Sequence, residues 1–81
     1  MPRKVRELKA DLHYTMLIEW SDEDQAFLVT LPEWADRVNT PTTHGATYEK
    51  AVRNGQEMLH DLIEMAQERG QSVPAPRVHV G

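Results

Sequence analysis

The sequence predicts a small α+β domain, with one long helix packed on one face of an antiparallel sheet of three to four strands, in the order β-β-β-α-β. Even-numbered positions are apolar from Leu8 to Trp20, which is the period of a strand with one buried face. From Tyr48 to Ala66 apolar and small residues recur every three or four positions, as in an amphipathic helix. The 81 residues suit a single domain.

The first two strands are expected to form a hairpin. A polar turn, Ser-Asp-Glu-Asp-Gln, separates the first strand from a second at Ala26–Leu31. Pairing Ser21 with Ala26 places the large apolar residues of both strands on one face, so we expect this register. Pro32 should end the second strand because it has no N–H to donate. The Leu8–Leu12 part of the first strand would fit a helical turn equally well.

The helix has recognisable signals at both ends. Thr47 is a favourable N-cap, and Glu49 lies in the first turn, where the helix dipole stabilises an anion. The helix is expected to run to about Arg69, since Gly70 suits the position after a helix C-terminus. The mid-helix Gly55 is interpreted as a position of close packing against the sheet.

The remaining segments are irregular or short. Glu33–Pro41 is predicted to be an irregular connection, followed by a short third strand at Thr42–His44. Val73–Pro76 is held extended by its prolines. Arg77–Val80 could add a short edge strand. The expected organisation is one domain over residues 1–81, with an arm or strand extension before residue 14.

The predicted core lies between the sheet and the helix. Five residues are expected to be almost fully buried: Ile18, Phe27, Val29, Leu59 and Leu62. The aromatic residues Tyr14, Trp20 and Trp34 are expected in the core or at its edge.

Charge is unevenly distributed along the chain. The net charge is −4, but the first ten residues carry a local +3 and the rest carry −7. An acidic body repels phosphate and suits a basic protein partner. Specific DNA binding is therefore not expected, and weak binding would be confined to the basic N-terminal residues: Arg3, Lys4, Arg6 and Lys9.

The composition also limits the chemistry. There is no Cys, so disulfides and thiolate metal sites are excluded. No apolar run suggests a signal peptide or a membrane span, which makes a cytoplasmic protein the expectation. The four His residues lack metal-ligand spacing, and no phosphate loop or nucleophile motif is present. Asp22, Glu23 and Asp24 are consecutive, so their side chains diverge. We expect no catalytic residue, metal or cofactor.

Several segments together resemble the HicB-like antitoxin family. They are Tyr14–Trp20, Ala26–Trp34, His44–Ala51, Asn54–Leu59 and Gly70–Pro76. The likeness covers residues 14–76, leaves residues 77–81 as a tail, and does not extend to the C-terminal DNA-binding module of many members. It implies a partial ribonuclease-H-like fold without the catalytic carboxylates. It also implies a non-enzymatic antitoxin that binds and neutralises a small basic mRNA-cleaving toxin.

Two functional hypotheses follow. In the first, acidic residues bind the toxin, and the candidates are Asp22, Glu23, Asp24, Glu33 and Asp36. In the second, the chain is an orphan oligomeric domain with a regulatory or small-ligand role and no toxin partner.

In either case a homodimer or higher homo-oligomer is expected, with Leu8, Leu12, Leu17 and Leu28 at the interface. Leu17 and Leu28 would lie side by side on the sheet face turned away from the helix. Alternatively, the N-terminal arm folds as a helix over that face and covers both residues within one chain.

Overall fold

A three-stranded antiparallel sheet and one long helix make up the fold in a computed structural model that describes residues 13–79. The strands are β1 (Leu17–Ser21), β2 (Ala26–Thr30) and β3 (Thr43–Gly45), and the helix is α1 (Tyr48–Glu68). A short 3-10 helix, Pro32–Trp34, follows β2. The strand order is β1-β2-β3. The predicted α+β fold with one long helix is confirmed.

The hairpin has the predicted register. Ser21 pairs with Ala26 and Ile18 pairs with Val29. However, β1 begins only at Leu17. The alternation predicted that residues 13–16 would also belong to this strand, but they do not. The chain turns into the 3-10 helix at Pro32, which leaves no strand opposite residues 13–16. The Leu8–Leu12 segment lies outside the described residues.

Both ends of α1 match the sequence signals. The Thr47 hydroxyl accepts a hydrogen bond from the backbone N–H of Lys50 at 3.1 Å. At the other end Gly70 has φ +68°, a left-handed conformation that glycine adopts readily. This conformation lets the Gln71 N–H reach the Ala66 carbonyl at 2.8 Å, so the last helical turn is closed.

Two glycines set the distance between helix and sheet. A Cβ at Gly45 would lie 2.4 Å from the backbone nitrogen of Ala51, so only glycine permits β3 to approach the first turns of α1. A Cβ at Gly55 would lie 2.7 Å from Met16 Sδ and 3.2 Å from Val29 Cγ1. The predicted close packing at Gly55 is confirmed.

The core is centred nearer the end of β2 than predicted. Its buried members are Val29, Leu31, Trp34, Ala51 and Leu59. Val29 and Leu59 confirm the prediction, whereas Ile18, Phe27 and Leu62 are only partly buried. Ile18 is only partly buried because α1 packs mainly on β3 and β2 and covers little of β1.

The C-terminal segment is held by side chains instead of strand pairing. The Tyr14 hydroxyl donates a 2.6 Å hydrogen bond to the Pro74 carbonyl. The Arg77 N–H donates to the Glu33 carboxylate. The possible edge strand at Arg77–Val80 is not formed over residues 77–79, and Val80 lies outside the described residues.

Candidate functional site

Three aromatic rings form a row across the hairpin end of the sheet. The Trp20 and Phe27 ring centroids are 5.0 Å apart in an edge-to-face arrangement. Phe27 also stacks on Tyr48, with centroids 4.2 Å apart and an interplanar angle of 26°. The row arises because Trp20 and Phe27 are cross-strand partners, and Tyr48 is the first residue of α1. Yet Trp20 is 48% exposed and Tyr48 is 64% exposed.

Carboxylates border this row. Asp22 Oδ1 accepts a 2.7 Å hydrogen bond from Trp20 Nε1, which fixes the orientation of the exposed indole. The Ser21 hydroxyl donates to Asp24 Oδ2 at 3.0 Å and accepts from the Asp24 N–H at 3.1 Å. At the end of the turn, the left-handed Gln25 donates from its side-chain amide to the Asp22 carbonyl at 2.7 Å. The hairpin tip is therefore an ordered acidic turn.

We name this surface the aromatic–acidic patch. Its rings are Trp20, Phe27 and Tyr48, and its carboxylates are Asp22, Glu23, Asp24 and Glu49. All four carboxylates are exposed. Exposed Trp and Tyr side chains supply much of the binding energy at protein interfaces, and their faces also attract Lys and Arg cations. The patch has the chemistry to bind a protein surface that is apolar at its centre and basic around it.

The predicted partner-binding acids do not form one surface. Asp22, Glu23 and Asp24 lie together at the exposed hairpin tip, and Asp36 is exposed in the turn after the 3-10 helix. Glu33 is different, because its side chain is buried. The structure therefore places Glu33 in the interior of the domain, apart from the exposed acids that were predicted with it.

Glu33 instead joins three parts of the chain. Its carboxylate accepts hydrogen bonds from the Thr15 N–H at 3.1 Å, the Thr15 hydroxyl at 3.0 Å and the Arg77 N–H at 2.8 Å. Burial acts to raise the pKa of Glu33, but hydrogen bonds from the Arg77, Glu33 and Thr15 backbone N–H groups and the Thr15 hydroxyl outweigh it. The pKa of Glu33 therefore lies below its ordinary value, and the side chain is held as a carboxylate.

Tyr14 lies beside this carboxylate. Burial raises the pKa of Tyr14, and the nearby Glu33 charge raises it further, while Arg37 acts in the opposite direction. The phenol therefore remains protonated and donates to Pro74, as described above. Its ring also packs edge-on against Trp34, at a centroid distance of 5.6 Å.

The structure describes two of the four residues predicted at the oligomer interface, and one of these two is exposed. Leu17 is 46% exposed, whereas Leu28 is partly buried. The β1–β2 register places them on the same face as diagonal neighbours, as predicted. Leu8 and Leu12 lie outside the described residues. Within residues 13–79, β1 pairs only with β2, which leaves one of its edges open.

Sequence reasoning missed the aromatic row as a surface. Trp34 is buried as expected, but Trp20, placed in the core or at its edge by the alternation, is nearly half exposed. Its position at the end of β1, directly before the acidic turn, was the one available indication. The stacking of Phe27 on Tyr48 depends on where α1 begins over the sheet, which no local pattern specifies.

Comparisons of the chain with protein-family models, with curated proteins and with solved structures found no match. Among the described residues, no helix is long and apolar enough to cross a membrane. Nor do residues 13–79 contain a group of three His, Cys, Asp or Glu side chains that could hold a metal ion.

Proposed function

We propose that the protein is a non-enzymatic, antitoxin-like binding module that neutralises a small basic mRNA-cleaving toxin. The observation that carries this proposal is the aromatic–acidic patch, an exposed and ordered row of rings bordered by carboxylates. The resemblance of residues 14–76 to HicB-like antitoxins supports the same function. The α+β fold agrees with what that resemblance implies.

The patch provides affinity and selectivity through different groups. Its rings offer large apolar surfaces, and the hydrogen bond from Trp20 to Asp22 means that the indole is ordered before binding. Pre-ordering reduces the conformational entropy that a complex must lose. The carboxylates of the acidic turn attract a basic partner over longer distances, so they act mainly on the association rate. Binding should therefore weaken as salt concentration rises.

Growth rescue provides the functional test. A small basic RNA-cleaving protein encoded beside the gene for this chain would be expressed until growth stops, and the full chain then co-expressed. The wild-type chain should restore growth, and the double variant Trp20→Ala/Tyr48→Ala should not. Val78→Ala is the matched control, because Val78 is 56% exposed but lies outside the patch.

Purified proteins would identify the cause of any failed rescue. The double variant should retain the far-ultraviolet circular dichroism of the wild type but lose the complex in isothermal titration calorimetry. Rescue by the double variant equal to that of the wild type would refute the role of the patch. Absence of any direct complex between the wild-type chain and the toxin would refute the antitoxin function itself.

A homo-oligomeric regulatory domain is the second candidate. Among residues 13–79 one edge of β1 has no partner, and Leu17 is exposed on the outer sheet face; both favour this candidate, because an unpaired strand edge can pair with a second copy. An oligomer that forms without any toxin partner would support this candidate. The two functions also use different surfaces, so variants at Leu17 and at Trp20 distinguish them.

A further inference from the structure

A cleft lies between the chain after the 3-10 helix and the C-terminal end of α1. Its deep part has a volume of about 90 Å³. The apolar side chains that line this part are Trp34, Val38, Leu62, Met65 and Ala66. Arg37, Arg69 and Gln71 line both the deep part and an adjoining space of about 570 Å³ near the surface. The cleft therefore combines an apolar floor with a cationic entrance.

Among the residues that the structure describes, the two arginines at the entrance have no anionic partner. Arg37 Nη1 donates a 2.7 Å hydrogen bond to the Ser72 carbonyl, and its Cζ lies 5.5 Å from the Trp34 ring centroid. These contacts orient the guanidinium, and neither a carbonyl nor an indole ring carries a charge that would neutralise it. Within residues 13–79, neither Arg37 nor Arg69 forms an ion pair, and no carboxylate lines the cleft.

Trp34, which lines the deep part of the cleft, has an unused hydrogen-bond donor. Trp34 is 2% exposed, and its Nε1 is buried with no acceptor among the described residues. Leaving a buried donor unpaired is unfavourable, because the group loses its hydrogen bond to water. The indole of Trp34 lies against the cleft, and its N–H signal can therefore report on a ligand that enters it.

We propose that this cleft binds a carboxylate that carries one small apolar group. A guanidinium matches a carboxylate with two parallel hydrogen bonds, and two guanidinium groups line the entrance. The deep part has roughly the volume of three liquid waters, which suits a branched alkyl group but not a large ring system. The same chemistry occurs in a free organic acid and in the C-terminus of a peptide that ends in Leu or Val.

The cleft shares no residue with the aromatic–acidic patch. Its ligand is therefore independent of the proposed antitoxin function, and failure of one proposal leaves the other standing.

Nuclear magnetic resonance provides the test, with Trp34 as the reporter. The chain has two Trp residues, so two indole N–H signals are expected, and Trp20→Phe assigns them. Titration with 4-methylpentanoate should shift the Trp34 signal in a saturable manner and leave the Trp20 signal in place. The uncharged 4-methylpentanamide should produce no comparable shift. Arg69→Gln should weaken binding about tenfold or more, since a hydrogen bond to a charged group contributes roughly 1.5–3 kcal/mol.

Control variants distinguish binding in the cleft from a non-specific effect of removing a positive charge. Arg53→Gln removes an exposed positive charge of α1 that lies outside the cleft, and it should leave the affinity unchanged. Arg37→Gln should weaken binding as Arg69→Gln does, which gives a second variant if one of them is misfolded. A peptide ending in a free Leu carboxylate, compared with its C-terminal amide, tests the other source of the same ligand.

Each outcome has a defined meaning. Binding of either the free acid or the peptide acid supports the cleft and identifies its source. Equal shifts with acid and amide, equal binding by the Arg69 variant, or displacement by inorganic phosphate at the same concentration would overturn the proposal. So would the absence of a shift in the Trp34 signal with both acids at their solubility limits.

Discussion

Replacing Glu33 with Gln tests the hydrogen bonds by which one buried carboxylate connects the first and last parts of the described chain. The carboxylate accepts from the Thr15 N–H, the Thr15 hydroxyl and the Arg77 N–H. Gln keeps the size of the side chain but removes its charge, and its amide places N–H donors where one carboxylate oxygen accepted. The substitution therefore weakens three hydrogen bonds without creating a cavity.

The expected loss in the free energy of unfolding is about 2–3 kcal/mol. Hydrogen bonds to a charged group contribute roughly 1.5–3 kcal/mol, against about 0.5–1.5 kcal/mol for neutral ones, a difference of about 1 kcal/mol for each of the three. A domain of this size has a total stability of roughly 4–12 kcal/mol, so the loss is readily measured. Thr15→Val, which removes only the hydroxyl donor, should cost about 1 kcal/mol.

The effect should depend on pH in a defined direction. The pKa of Glu33 is lower in the folded protein than its ordinary value of 4.5. A lowered pKa means that the contribution of this group is complete above pH 4.5 and is lost as pH falls through the folded-state pKa. The difference between wild type and Glu33→Gln should therefore be full at pH 7 and shrink progressively below pH 4.5.

Urea unfolding followed by Trp fluorescence, repeated at several pH values, measures the loss in the free energy of unfolding and its dependence on pH. Trp34 is a suitable reporter because it is buried and packs against Tyr14, the neighbour of Thr15. Glu57→Gln is the matched control, since Glu57 is exposed on α1 and its replacement should change stability by less than about 0.5 kcal/mol. A difference for Glu33→Gln no larger than that of the control, or one that does not change with pH, would refute the reasoning.

Three further predictions concern packing and association. Leu59→Ala should cost about 2–5 kcal/mol because Leu59 is buried, and the partly buried Leu62→Ala should cost less, both measured by urea unfolding. Equal losses would show that the two positions are covered alike. Gly45→Ala should cost about 3 kcal/mol or more in thermal unfolding, since its Cβ would meet the backbone of α1. Gly70→Ala meets no atom within 4 Å and should cost only about 1 kcal/mol for its left-handed backbone, so a smaller loss at Gly45 than at Gly70 would contradict the packing argument. In light scattering across a concentration series the wild type should exceed the monomer mass, and Leu17→Lys or deletion of residues 1–12 should lower it. A wild-type monomer at high micromolar concentration would end the oligomer hypothesis.

Local signals made much of the fold predictable. The Ser21–Ala26 register follows from alternation and a polar turn, and both ends of α1 follow from Thr47 and Gly70. Each of these features depends on residues that are close in sequence or on a single strand pair. The sequence could therefore specify them without knowledge of how the helix lies on the sheet.

Features that depend on distant contacts were not predictable. Glu33 binds Thr15 and Arg77, which lie 18 and 44 residues away, so its burial has no local pattern. The exposure of Trp20 likewise depends on where α1 begins over the sheet. The cleft brings Arg37 and Arg69 together only because the chain after the 3-10 helix packs beside the last turns of α1.

The joint at Glu33 also determines how this domain can be connected to other sequences. The backbone nitrogens of Thr15 and Arg77 both lie within 3.1 Å of the same carboxylate oxygen, so the first and last parts of the described chain meet at one place. A domain with adjacent ends can be inserted into a surface loop of a host protein without separating the loop's two ends. A circular permutant of residues 13–79, with positions 13 and 79 joined by a short linker and the chain opened at the exposed acidic turn, should likewise retain the fold.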